Sequence, residues 1–235
     1  MGEHDGHRKR LRKNFIERGG LYGFSDLNAL ELLLFYAISR QDTNILAHRL
    51  LDKFDTLNGV LTATEQELME VEGVGESTAV LLRLVLQIAR RSEISKTKDI
   101  RAILSSSDAG RYCMPRFMYE EDEVVLMLCL DAKRRIIKCA EVGRGMANAV
   151  ESNLRLMTET ALRCKACAVV IAHNHPDGIA LPSPEDNAAT KQLIAALEPL
   201  GIEFVDHIIV AGEDFISYAD SGMLPLFKGG ALSRY

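Results

Sequence analysis

The chain lacks a long hydrophobic run. No apolar stretch approaches the roughly 18 residues of a membrane span, and the longest, Leu27 to Ile38, is interrupted by Asn28 and Glu31. An apolar leader is missing too, since the opening reads HRKRLRKNF from His7 to Phe15. These two absences predict a cytoplasmic protein with no membrane partner. There is no excess of positive charge. With 28 Lys and Arg against 33 Asp and Glu the formal net charge is −5, so the chain as a whole is not a nucleic-acid polycation. The five cysteines are an odd number scattered through the second half; an intracellular chain of this length needs no disulfide frame, and they are read as reduced. Repeats and low-complexity segments are absent, which excludes a repeat architecture. What is there is ordinary for a globular protein: 235 residues, 47% hydrophobic and 26% charged, enough for one large domain or two small ones with a buried core.

The first ninety or so residues carry helical periodicity throughout. Leu27–Ile38 and Thr43–Phe54 space their apolar residues as helices do, with Ser25/Asp26 and Asp42/Thr43 as N-caps. Glu65–Val71 reads as a short helix, Glu72-Gly73-Val74-Gly75 as a tight turn, and Ser77–Arg91 as a long amphipathic helix. The two glycines permit the positive φ that such a turn needs. Ser92–Ser107 has little periodicity and reads as a linker. The second half alternates element types: strands at Glu123–Leu130 and Arg135–Val142, a helix over Val150–Cys164, a buried strand at Ala168–Ala172, a helix from Pro184 to Leu200 and a strand at Glu203–Val210. That order predicts a mixed α/β domain with one sheet covered by helices.

Chemistry concentrates after the buried strand. His173-Asn174-His175-Pro176-Asp177-Gly178 follows it, seven residues separate His175 from Ser183, and Asp186 comes three later. Histidines at i and i+2 on an extended segment point to the same side, so both imidazoles can meet one metal ion. A carboxylate on the next helix could supply a third ligand. Three protein ligands and one open position are the arrangement of catalytic zinc, which lowers the pKa of its water to about 7. Ser-Pro-Glu-Asp at 183–186 is also close to an ideal helix start, with Ser as N-cap, Pro at N1 and acids in the first turn. The two roles can coexist, because a helix start holds Ser183 and Asp186 rigidly.

HNHPDGIALPSPED resembles the H-x-H-x(7)-S-x-x-D signature of the JAMM (MPN-type) metalloproteases. From Arg8 to about Leu224 the chain resembles the bacterial RadC family, which joins a helix-hairpin-helix region to a JAMM domain. The stretches LMEVEGVGESTA (68–79), EVVLMLCLDAKRRI (123–136), IAHNHPDG (171–178) and VDHIIVAGEDFIS (205–217) carry the likeness. It implies an all-α helix-hairpin-helix domain over 1–95, a linker over 96–110, a JAMM/MPN-like mixed sheet flanked by helices (cytidine-deaminase-like) over 111–225, and a tail over 226–235. It implies one zinc per chain on His173, His175 and Asp186. It places the family's catalytic glutamate on Glu123, which would take a proton from the zinc-activated water and return it to the leaving amine of a peptide or isopeptide bond. Ser183 would hydrogen-bond the developing oxyanion. The sequence departs from the family pattern where a Pro-Arg-Glu segment falls on Ser152, Asn153 and Leu154, and where the usual Ser after His-Asn-His-Pro is Asp177.

Other site readings fit less well. HNH nucleases take their name from dispersed residues rather than this tripeptide. A metallo-β-lactamase motif needs a histidine where Gly178 stands. Cys164 and Cys167 could join the two histidines in a closed Cys₂His₂ site, although a helix end and a strand start more often bury cysteines as small apolar residues. Deaminase zinc sites need a different residue order. His207 reads first as a satisfied core histidine, second as a group behind the site. The turn at Gly73, Val74 and Gly75 would bind DNA phosphate through main-chain N–H groups, yet residues 1–95 hold twelve Lys/Arg against fourteen Asp/Glu. The expected function is therefore zinc-dependent hydrolysis of a protein or peptide substrate. The alternative is a DNA-associated repair or recombination factor whose metal domain is a binding module.

Overall fold

A computed structural model gives the fold and describes residues 3–39, 42–145, 153–176 and 178–227. The chain divides into two compact units, Met1–Ala89 and Arg90–Tyr235. Among the described residues no helix is long and apolar enough to cross a membrane.

The first unit is helical, as its periodicity dictates: α1 (Glu3–Arg18), α2 (Asp26–Ala37), α3 (Thr43–Phe54), α4 (Leu57–Thr62), α5 (Glu65–Met69) and α6 (Glu76–Lys96), the last reaching past Ala89. Short polar side chains open the helices where the sequence places them: Ser25 accepts from Asn28 N and Asp42 from Asn44 N. Leu30 and Leu34 of α2, Leu46 and Leu50 of α3, Leu68 of α5 and Leu82 of α6 meet in one core. The carboxylate of Glu31 is buried against this pattern and faces His7 Nε2 and Asn44 Nδ2 at 3.0 and 3.3 Å, partners without which a charge at that depth would be costly.

Gly59 lies inside the six-residue α4, although glycine is a poor helix former. Space is the reason. A Cβ there would lie 2.3 Å from the main-chain oxygen of Phe54, and backbone cannot swing aside as a side chain can. Gly59→Ala should lower stability by roughly 2 kcal/mol, within the usual range for overpacking. An unfolding midpoint in urea equal to that of the unsubstituted chain would contradict this account.

The second unit contains α7 (Ser106–Phe117), β1 (Val124–Leu130), β2 (Ile136–Arg144), α8 (Leu154–Arg163), β3 (Ala168–Asn174), α9 (Pro184–Leu197), a 3₁₀ turn at Glu198–Leu200, β4 (Glu203–Ala211), β5 (Asp214–Ser217) and α10 (Leu224–Phe227). The strands form one mixed sheet in the order β2-β1-β3-β4-β5. β3 and β4 run parallel, and the other neighbours are antiparallel. Side-chain alternation splits the buried strands between two cores. Val125, Met127 and Cys129 of β1 with Val169 and Ile171 of β3 pack under Met157 of α8 and Leu193 of α9. Leu126 and Leu128 with Val170 and Ala172 pack under Cys113 and Phe117 of α7. The central strands are covered on both faces, which is why EVVLMLCL and AVVIA read as continuous apolar runs.

Several expected boundaries move. Residues 96–110 are not a bare linker: Ile103 is buried, its N–H donates to Arg134 O at 2.9 Å, Ala102 bridges Arg135, and α7 has begun by Ser106. Their polar composition conceals this because most of the segment's order comes from main-chain bonds. Strand β5 is four residues long, too short for a periodic signal, and Pro115 lies within α7 where a helix reading would break. Phe227 closes α10, so the expected tail begins in a helix. Ser152, Asp177 and the first residues of the expected Val150–Cys164 helix lie outside the described residues.

Candidate metal centre

Two elements bring the expected residues together. His173 is the sixth residue of β3, paired in register with Val125 of β1 and Ile209 of β4. The main chain holds one residue further, since His175 N donates to Val210 O at 2.8 Å. The extended backbone thus puts both imidazoles on one side, with Nε2 atoms 2.9 Å apart. Asp186 arrives on the first turn of α9. Its Oδ1 is 3.2 Å from His173 Nε2, and its Oδ2 is 3.6 Å from His175 Nε2. One donor atom from each of the three lies within 4.8 Å of the others, a group that could hold a metal ion. His173 is fully buried, Asp186 nearly so, and His175 partly open.

The hydrogen bonds assign the ring protons. His175 Nδ1 lies 3.0 Å from Ile179 O; a carbonyl only accepts, so Nδ1 carries a hydrogen and Nε2 is the nitrogen left to the cluster. On the other side, the Thr190 hydroxyl donates to Asp186 O at 2.6 Å, leaving its oxygen to accept from His207 Nδ1 at 2.7 Å. His207 Nε2 then accepts from His173 Nδ1 at 2.8 Å. His207 is fully buried, and burial holds its pKa well below the ordinary histidine range, so it carries one proton only. His173, like His175, thus spends Nδ1 away from the cluster and turns Nε2 toward Asp186. Two ring nitrogens and a carboxylate converge, each a potential metal ligand when the rings are neutral, and a cation could take the place between them. The donor set fits a borderline-soft divalent ion such as zinc.

His207 is thus both a satisfied core histidine and the group behind a metal-facing ring, the two readings the sequence sets against each other. Tyr218 stacks on it with ring centroids 4.8 Å apart. Outer partners of metal-bound histidines typically tune affinity 10–100-fold. His207→Ala should weaken zinc binding by about that factor in a competition titration with a chelating dye, and His207→Gln, whose amide oxygen can still accept from Nδ1, should restore part of it. Equal affinities for all three chains would show that His207 is packing alone.

Ser183 and Asp186 form a reciprocal capping box. Ser183 N and Oγ donate to Asp186 Oδ2 at 2.8 and 2.7 Å, and Asp186 N donates to Ser183 Oγ at 3.0 Å. Burial would raise the Asp186 pKa, but the contacts with His173 and the two bonds from Ser183 hold it well below the usual carboxylate range. Glu123, just ahead of β1, is half-buried. Burial pushes its pKa above the ordinary glutamate range; His173 and His175 pull it down and Asp186 pushes it up. Val125 pairs with His173, so Glu123 stands two residues beyond, at the end of the sheet where His175 leaves β3. Asn174, which sequence reasoning passed over, places it there: Nδ2 donates to Asp122 O at 3.0 Å, and Oδ1 accepts from Val124 N at 2.7 Å. The side chain between the two histidines clamps the residues on both sides of Glu123. A polar residue at a fully buried strand end was the available signal.

The remaining candidates separate from the cluster. Neither Cys164 nor Cys167 joins the metal-capable group. Cys164 is a free thiol packed against the core that holds the buried Cys129, whose thiol is pushed up to about 12 by burial. Cys167 is exposed rather than buried. In the helical unit, Gly73 has φ +99°, but Gly75 does not need positive φ. Gly75 instead opens α6, its carbonyl accepting from Thr78 N and Ala79 N. Val74 is buried and gives its N–H to Val71 O. Arg49 reaches Glu72 O and Oε2 at 3.0 and 3.1 Å.

Known proteins share both parts. The model of the RadC-like JAB domain matches residues 103–223, and that of the helix-hairpin-helix motif matches residues 56–81. A UPF0758 protein of Ruegeria pomeroyi is 37% identical over 219 residues, covering 93% of this chain and 97% of its own length. UPF0758 proteins of Rhodobacter capsulatus and Methylibium petroleiphilum are 37% and 34% identical over 215 residues each, covering 91% and 92% of this chain and 100% and 96% of their own lengths.

Proposed function

Because this chain belongs to the RadC family, whose JAB domain has a JAMM-type metal-binding fold, we propose that it is a zinc-dependent hydrolase acting on a peptide or isopeptide bond. The observation that carries the reading is the convergence of two imidazole Nε2 atoms and a carboxylate in one group that could hold a metal ion. His173, His175 and Asp186 would hold the ion. A zinc ion there supplies Lewis acidity and lowers the pKa of water to about 7. Glu123 does the proton work: it accepts a proton from the attacking water and returns it to the leaving amine, a task for which a carboxyl with a raised pKa is suited. Ser183 leaves the capping box to donate to the oxyanion. The loop between His175 and Ser183 exposes Ile179 and Leu181, apolar side chains that can grip an extended polypeptide near the reacting bond. The test is elemental analysis of the purified chain, followed by a screen of peptide and isopeptide substrates. About one zinc per chain with chelator-sensitive cleavage is expected. No metal after zinc is supplied would overturn the proposal.

A second reading, a DNA-associated factor, rests on the helix-hairpin-helix motif at 56–81. Gly75 has open space where a side chain would be, so a phosphate can approach its backbone. Glu72 and Glu76 beside the turn oppose this. The reading requires duplex or branched DNA to bind with an affinity that falls as salt rises, and it fails if there is no binding at low salt.

A further inference from the structure

The second unit has an open groove of about 1000 Å³ with a charge opposite to that of the chain. It is bordered by the end of α6 and the segment after it, by α7, and by the edge strand β2. Arg91, Lys98, Arg101, Arg116, Arg135 and Lys138 line it, with Asp131 as the one carboxylate. Asp131 is spent on Arg135, whose Nε donates to its Oδ2 at 2.7 Å. Arg116 lies over the Tyr112 ring at 3.5 Å and bonds Thr97 Oγ1 and Tyr112 O. Arg91, Lys98 and Arg101 are exposed, as is Lys138, and no ion pair forms on these four among the described residues. In a chain of net charge −5, four unneutralised cations around one groove are a local inversion of sign that nothing in the metal centre uses.

We propose that this groove binds the phosphate backbone of single-stranded nucleic acid. Three features select that ligand. The four unpaired cations lie on three elements, Arg91 on α6, Lys98 and Arg101 on the segment after it and Lys138 on β2, so they track an extended chain of anions rather than enclose a single one. Tyr112, Ile94, Ile100 and Ile136 supply an apolar floor against which bases can lie. An acidic peptide adding itself to the sheet would need the free edge of β2, and at its start that edge is taken: Ile136 N donates to Arg101 O, and Ile103 N to Arg134 O. All the residues that line the groove belong to the second unit, whereas the glycine turn belongs to the first.

The experiment is fluorescence anisotropy of a labelled oligothymidylate with the full chain, between about 50 and 200 mM salt. If the four unpaired cations each meet a phosphate, log affinity should fall against log salt with a slope of about −3 for a single strand. Lys98→Gln/Arg101→Gln, both on exposed positions, should weaken binding about tenfold at low salt and flatten the slope by about 1.4. Lys138→Gln should act in the same direction, and the zinc content of all variants should match that of the unsubstituted chain. Three results would overturn the inference: no binding at low salt, binding untouched by the groove variants but lost in Gly75→Glu, or displacement by polyglutamate or a free nucleoside monophosphate as effective as by unlabelled strand.

Discussion

Glu123→Gln should lower hydrolytic turnover about 10³-fold, the middle of the range for a general acid-base residue, while zinc content stays at the unsubstituted level. The substitution keeps shape and removes only the ability to take and return a proton. The fold should tolerate it, because what positions residue 123 is the pair of bonds from Asn174 to its neighbours' main chain, and these do not involve the Glu123 carboxyl. The pH profile provides an independent readout. A base works when deprotonated, so turnover should rise with pH through the elevated pKa that burial gives Glu123, and the Gln variant's residual activity should lack that limb. Unchanged turnover with zinc retained would remove Glu123 from the mechanism and move the assignment toward the binding-module reading. Zinc lost together with activity would instead make Glu123 part of the ion's own coordination.

What the sequence makes legible follows from which forces act locally. The buried strands and their order, the helix starts at Ser25, Asp42 and Ser183, and the grouping of His173 with His175 can all be read from periodicity and capping, because each depends on neighbours a few residues away. The path of 96–110 cannot, since the N–H of Ile103 is held by the carbonyl of Arg134, a residue far along the chain. The same holds inside the site. His207 reaches His173 across the β3–β4 pairing, and Asn174 reaches Asp122 and Val124 across β1. A sequence shows that such residues are polar in apolar surroundings, which flags them, but their partners are set by strand register. The N-terminal turn is a different case. The glycine spacing is legible, but which of the two needs positive φ is decided by how Val74 enters the core.

The largest change in metal binding should come from Asp186→Ala, and its comparison with Ser183→Ala separates two roles that share one capping box. If Asp186 were only the second half of a helix cap, both substitutions would cost about 1 kcal/mol each, the usual value for a lost cap, and neither would change zinc content. If Asp186 is also a ligand, Asp186→Ala should take zinc from about one per chain to near none, leaving the two histidines an incomplete set, whereas Ser183→Ala should keep zinc and lose about 10²-fold in turnover through the missing oxyanion donor. The metal-free proteins add a check with a definite sign. The Asp186 carboxyl is held well below the usual range in the folded chain, so the stability it contributes is present above the unfolded carboxylate pKa of about 3.9 and is lost as pH falls below it. The melting temperature of metal-free Asp186→Ala should therefore lie furthest below that of the unsubstituted chain near neutrality, and the two should converge on acidification. A gap that widens on acidification would mean that the contacts with His173 and Ser183 do not hold the carboxylate in its charged form, and the ligand geometry built on them would fail with it.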